Sequence, residues 1–222
     1  MKIACMQPYF IPYMGYWQLL NYVDKFVILD DVQYITKGWI NRNKISLNKK
    51  DFWLTIPLNN ANKNKIINEI HIDNQNIIIR KILRTMELNF IKSENGDFAL
   101  KLINPISYTN KLLDYLVHSI TELSRFLNIK TELVFSSSIN IDSNIKGEKR
   151  ILEIVSHLGG KNYINPISGA SLYSENNFSV NNIKLNFIEC DFFENYEYSI
   201  LNHLLISDKC SIINKLNNFK IV

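Results

Sequence analysis

The sequence predicts an α/β fold, a single domain over residues 1–222 with a mixed or mainly parallel central sheet flanked by helices, and three observations carry that reading. The opening stretch, MKIACMQPYFIPYMGYWQLLNYVDKFVILDDVQY, runs apolar strand, proline turn, helix and second apolar strand, the order of a βαβ crossover of the nucleotide-binding kind. The second half repeats that logic as helix, strand, Ser-rich turn, helix and strand, which is again α/β order. Finally, 222 residues with 46% hydrophobic and 12% aromatic content can bury a sizeable core, whereas the longest apolar runs, Ile77 to Ile79 and Phe26 to Leu29, fall far short of a membrane span.

Taken in order, Lys2 to Met6 reads as a buried strand. Pro8 and Pro12 fix their backbone dihedrals and remove ladder donors, so the chain must leave the sheet at Gln7. Tyr13 to Tyr22 has helical spacing, and Val27 to Leu29 form a second apolar run that stops at Asp30 and Asp31. Ligands bind outside the carboxyl ends of strands in open α/β sheets. Gln7 to Pro12 and Asp30 to Tyr34 are therefore expected at one edge. Thr36 to Asn43 (TKGWINRN) is a polar segment, and Phe52 to Pro57 is an alternating strand closed by a proline. After the turn Asn59 to Asn64, Lys65 to Ile72 alternates and is expected to pair with Phe52 to Ile56 as a hairpin.

Asn76 to Met86 has helical spacing, and Ser93 to Gly96 breaks the pattern. Asn110 to Leu127 is an amphipathic helix whose Leu112, Leu113, Leu116, Ile120, Leu123 and Leu127 line one face. A strand follows at Thr131 to Phe135, then the polar turn Ser136 to Ser138, then a helix from Gly147 to Leu158 closed by Gly159 and Gly160. Asn162 to Asn165, the loop ISGASLY, a strand around Lys184 to Phe187 and a helix near Asp208 to Leu216 complete the chain.

The net charge of +4 is mild, and the lysines are mixed with asparagines. This is not the footprint of a dedicated nucleic-acid binder, but it is compatible with a small anionic ligand. Cys5, Cys190 and Cys210 are odd in number with no CxxC spacing, and the N-terminus has no signal-peptide pattern, so a reducing cytoplasm is expected, without membrane insertion. No metal site is predicted from the scattered histidines; His203 with Asp208 is the one pair considered. No motif specifies a cofactor.

Three clusters carry the candidate chemistry. Gln7, Tyr9, Tyr13 and Tyr16 surround a strand end and a helix N-terminus, a place suited to anions and to stacked rings; the alternative is core filler with hydroxyls reaching solvent. Asp30 and Asp31, followed by Tyr34, are the candidate catalytic pair, because a carboxylate at a strand end facing a cleft can accept a proton from a reacting group. Adjacent strand residues point to opposite sides, so one of them is expected to face the reacting centre while the other caps a turn or holds Arg42. Lys37, Trp39, Asn41, Arg42 and Asn43 suit a diphosphate with its sugar, or else Trp39 anchors a loop and Arg42 pairs with an aspartate. Tyr163, Asn165, Ser168 and Gly169 are read as a second wall of the same cleft, or as a turn. Cys5, inside an apolar strand, reads as a buried small hydrophobe.

These motifs together resemble the WbqC-like family of bacterial proteins from surface-polysaccharide gene clusters. The resemblance spans nearly the whole chain and is carried by MQPYFIPYMGYWQLL, DKFVILDDVQY, KGWINRN, TIP and YINPISGASLY. Two departures are visible: LLISD moves the serine, Ser207, next to Asp208, and Ser168 with Gly169 stands where a glycine pair is usual. The resemblance implies an amide-forming transferase that places an aminoacyl, for example glycyl, or small acyl group on the amine of a nucleotide-linked amino sugar in O-antigen or lipopolysaccharide biosynthesis. The activated donor would be an aminoacyl-tRNA, a carrier-protein thioester, an adenylate or a coenzyme thioester. The opening is also similar in architecture to nucleotidyltransferases and pantothenate synthetases, with Tyr13 and Tyr16 at the two histidine positions of HxGH. That similarity implies an ATP-using enzyme activating a carboxylate, and a non-catalytic sugar-nucleotide-binding protein is the third reading.

Overall fold

Alternating burial decides the first strand of the structure, a computed structural model that describes residues 1–104, 109–191 and 195–222. In β1 (Lys2–Met6), Ile3 and Cys5 enter one core while Ala4 enters another on the opposite face of the sheet. The proline turn follows, then α1 (Met14–Tyr22), begun at Tyr13, and β2 (Lys25–Ile28), which lies parallel to β1 with Ile3 opposite Lys25. The opening unit is therefore the expected βαβ.

The next segment corrects the sequence reading. Residues 42–47 form a strand, β3 (Arg42–Leu47), and it is β3 that pairs with β4 (Lys50–Thr55), antiparallel, with Arg42 opposite Thr55. Asn48 and Lys49 make the turn with φ of 52° and 62°, the left-handed pair that a two-residue hairpin requires. Polar Asn43 on the inward face masks the alternation of β3. The Lys65 to Ile72 stretch instead holds a short 3₁₀ turn, Ile67–Glu69, and β6 (His71–Ile72), paired with β5 (Leu58–Asn59).

The helix expected from Asn76 is α2 (Ile77–Phe90), and its N-cap Asn76 accepts a hydrogen bond from the Ile78 N–H at 3.0 Å. Then comes α3 (Gly96–Ile103), which the pattern did not predict. Gly96 admits no side chain, since a Cβ there would meet the Phe90 carbonyl oxygen at 2.2 Å. The long amphipathic helix is α4 (Leu112–Phe126), followed by β7 (Glu132–Phe135), a 3₁₀ turn at Ser136–Ser138 and α5 (Gly147–His157). Gly159 takes φ +71° just past the end of α5, where a left-handed residue stops a helix.

The chain continues with β8 (Asn162–Pro166), a 3₁₀ segment at Ile167–Leu172, α6 (Glu175–Val180) and β9 (Lys184–Cys190). It ends with α7 (Ile200–Ile206), capped by Ser199, α8 (Lys209–Lys215), capped by Asp208, and β10 (Phe219–Ile221). The short α6 and α7 and the edge strand β10 were not predicted.

The six-stranded sheet has the order β10-β9-β8-β1-β2-β7, parallel except for β10. This is the α/β fold expected. From β1 the chain steps outward to β2 and β7, then returns to the other side of β1 for β8 and β9. The order reverses between β1 and β8, the kind of switch point beside which open α/β sheets place their ligands, at the strand carboxyl ends. One face of the sheet packs on α1, α4 and the C-terminal helices through Phe26, Ile28, Ile164, Leu116 and Leu204. The other packs on α5 and α6 through Ile3, Val27, Tyr163, Ile154 and Phe178. Among the described residues no helix is long and apolar enough to cross a membrane.

Candidate functional site at the strand carboxyl ends

Two cavities flank the turn that leaves β1. The larger, about 700 Å³, is lined by Gln7, Asp31, Gln33, Lys146, Gly147 and Arg150 together with apolar neighbours and Asn64. The smaller, about 290 Å³, is lined by Tyr9, Pro12, Tyr13, Trp39, Asn43, Tyr196 and Glu197. Gln7 belongs to one and Tyr9 to the other, so a single proline turn serves both.

The turn is held against its own preference. Ile11 has φ +39°, a conformation that costs a β-branched residue free energy. Asn43 Nδ2 donates to the Phe10 and Ile11 carbonyls at 3.1 and 2.9 Å, the Ser199 hydroxyl donates to the Ile11 carbonyl, and Trp17 Nε1 donates to the Pro12 carbonyl. Three side chains thus fix this backbone through four hydrogen bonds.

The two aspartates part as strand geometry predicts. Asp30 is buried, at 3% exposure, and does not line the larger cavity. Its carboxylate accepts from the Ser137 N–H at 3.0 Å and the Ser137 hydroxyl at 2.6 Å, so it ties the end of β2 to the turn after β7. Asp31 faces the cavity, and Arg150 Nη2 donates to it at 2.5 Å. The Ser136 hydroxyl lies 2.5 Å from Asp31 Oδ1 and 3.1 Å from Asp30 Oδ1, bridging the pair with one proton. Arg150 sits in the first turn of α5 with its side chain only 7% exposed.

Several other expected site residues are tied into contacts within the protein. Arg42 holds neither aspartate: its guanidinium donates to the Lys37 and Gly38 carbonyls and lies 4.8 Å over Trp53. Lys37 is an exposed left-handed residue of that loop, with φ +61°. Trp39 does not anchor into the core; it is 45% exposed, stacks on Trp53 at 5.7 Å and forms a wall of the smaller cavity. Asn41 and Tyr34 are buried and bonded to each other at 2.8 Å, with Asn41 also donating to the Ile56 carbonyl.

Tyr16 lies wholly in the core against Phe26 and Trp17, its hydroxyl 3.4 Å from the Gln7 carbonyl, and burial drives its phenol well above the usual range. It cannot touch a phosphate. Tyr13, which packs edge-on to Tyr196 at 5.7 Å, is pushed up to about 12, chiefly by burial. Both phenols are protonated donors at neutral pH.

The expected second wall is inward-facing as well. Tyr163 is buried, its hydroxyl 3.0 Å from that of Tyr173, and Asn165 Nδ2 donates to it at 2.9 Å. Gly169 does make a close approach, but to the protein: a Cβ there would meet Asn165 Oδ1 at 2.3 Å. Ser168 is exposed on the same 3₁₀ segment. Cys5 is buried, and burial drives its thiol far up, which leaves no thiolate nucleophile at neutral pH. Asp208 caps α8 through the Ser211 N–H, and no group of three or more metal-ligating side chains occurs among the described residues.

Arg150, Lys146, Ser136, Ser137 and Tyr196 are the residues that sequence reasoning missed. A signal for Arg150 existed, since it lies four residues before Ile154 and so on the apolar stripe of α5.

A protein of Mycobacterium tuberculosis described as the uncharacterized protein Rv1507c is 42% identical over 57 residues, which is 26% of this chain and 25% of that protein. The chain thus aligns with only about a quarter of that relative's length. No solved structure matches the chain significantly. The WbqC-like protein family model matches residues 7–218, from the first cavity-lining glutamine to the edge strand, and the chain belongs to that family.

Proposed function

We propose that the protein is an amide-forming transferase that places an aminoacyl or small acyl group on the amine of a nucleotide-linked amino sugar. The observation that carries this reading is Asp31: a carboxylate at the mouth of a cavity of about 700 Å³ beside the switch point of the sheet, oriented by Arg150 and Ser136 at 2.5 Å each. Attack of the sugar nitrogen on the donor carbonyl forms the C–N bond and releases a proton. Asp31 receives that proton and returns it to the donor's leaving atom as the bond between carbonyl carbon and leaving atom breaks. Asp30 is a positioning residue that holds the Ser136–Ser138 turn, and through it the orientation of Asp31.

The rings of Tyr9, Tyr13 and Trp39 around the smaller cavity support binding of a sugar or base face on the other side of the turn. An ATP-using reading is weaker, because Tyr16, at one of the two positions where a phosphate-binding histidine would stand, is sealed in the core. Direct transfer from a bound donor is favoured over a covalent enzyme intermediate, since the buried Cys5 cannot reach the cavity as thiolate.

The test is calorimetric titration with pyrimidine-nucleotide-linked 4-amino sugars, their N-acetylated forms and ATP. Saturable binding of the free-amine sugar nucleotide, with a raised melting temperature by mass action, is expected. Binding of ATP alone would overturn the proposal in favour of carboxylate activation.

A further inference from the structure

We infer that the N-terminal turn of α5 is a phosphate site, formed by the Gly147, Glu148 and Lys149 backbone N–H groups, Lys146 and the guanidinium of Arg150. In a doubly wound sheet the phosphate usually meets the helix that follows β1. Here that end is crossed by another segment of the chain. Tyr13 bridges to Ser199, and the Ile200 N–H donates to the Pro12 carbonyl, so the segment before α7 covers the start of α1.

The start of α5 is built differently. It runs for 11 residues with no side-chain cap hydrogen bond at Lys146, and both Lys146 and Gly147 line the larger cavity. The first N–H groups of such a helix have no intrahelical acceptor and carry the positive end of its dipole. Gly147 adopts φ +57° with nothing within 4 Å of where a Cβ would sit, leaving its backbone open to a ligand.

An independent observation comes from Arg150. Its side chain is 7% exposed and lines the same cavity, and Nη2 is used by Asp31, yet its buried Nε has no hydrogen-bond partner among the described residues. An unsatisfied buried donor on a charged group is costly and calls for an acceptor. Charge is consistent with an anion. Asp31 offsets Arg150, the Glu148 carboxylate is turned away to the Ser174 N–H and to Asn177, and no carboxylate among the described residues pairs with Lys146.

This inference draws on the proposed function only for the larger ligand to which the phosphate belongs. The probe is therefore inorganic pyrophosphate, titrated into the intact protein and followed by calorimetry and by amide NMR. The account expects shifts at Gly147, Glu148, Lys149 and the Arg150 Nε–H, and affinity about tenfold weaker in Lys146→Glu, an exposed change that keeps the fold. Arg150→Lys, which keeps a cation for Asp31 but has no Nε–H, should weaken binding while the Asp31 environment persists. Absence of binding at millimolar pyrophosphate, shifts confined to Lys37 and Arg42, or no effect of either variant would overturn it. Pyrophosphate binding here without any binding of sugar nucleotides would leave the phosphate site standing and remove the transferase reading. Sugar-nucleotide turnover without shifts in α5 would do the reverse.

Discussion

The two walls beside the proline turn are built from opposite materials. On one side a chain of charged and hydroxyl groups, from Ser137 through Asp30, Ser136 and Asp31 to Arg150, links the ends of β2, β7 and α5. On the other, Tyr9, Tyr13, Trp39 and Tyr196 offer rings, and their positions depend on packing and on the Asn43 and Ser199 clamps. A charged network fixes atoms to within a hydrogen bond but fails as a unit when one member is lost. A ring wall tolerates small shifts and suits binding more than proton transfer. Under the proposed function, chemistry falls to the first wall and recognition to the second.

Breaking the first wall should give the largest effect. Arg150→Ala removes the partner of Asp31 and leaves its carboxylate facing the buried Asp30 side of the network, and losing one member of a largely buried ion pair costs about 3 to 5 kcal/mol. Urea unfolding of this variant should show that loss, and a change under about 1 kcal/mol would mean the network is loose and solvated.

The second wall should be the more acid-sensitive of the two through the helix behind it. His203 on α7 is held at about 4, by burial and secondarily by Lys215, against an ordinary value of 6.5. Because its folded-state value is depressed, the unfolded chain takes up the proton first as pH falls. Stability is therefore full above about pH 6.5 and is lost toward pH 4, by up to roughly 3 kcal/mol. Melting temperature should fall over that window, and His203→Gln should flatten the dependence. An unchanged pH profile in the variant would place the acid sensitivity elsewhere.

The same contrast explains what could be read in the sequence. Apolar runs announced β1 and β2, and the abrupt stop at Asp30 and Asp31 located the carboxyl edge, because a strand end is a local event. The Ser136–Ser138 turn was visible too, but not its attachment to Asp30, which joins residues more than a hundred positions apart. Arg150 was hidden because an arginine early in a helix ordinarily faces water, and only the packing of α5 on the sheet shows that it does not. β3 was missed because Asn43 occupies a buried position to clamp the turn, so a polar side chain broke the alternation that marks a strand. Tyr16, Tyr34 and Tyr163 stand in a family-like motif yet serve the core, since spacing alone does not tell which side of a phenol meets solvent.

The central claim is that the cavity-facing member of the aspartate pair carries the chemistry while the buried member only positions it. Single-turnover amide formation from a nucleotide-linked amino sugar, read by mass spectrometry, tests this directly in Asp31→Asn and Asp30→Asn. The account predicts a loss on the order of a hundredfold in the chemical step for Asp31→Asn with sugar-nucleotide binding retained, and a smaller loss accompanied by lowered stability for Asp30→Asn. Near-normal turnover in Asp31→Asn would contradict it.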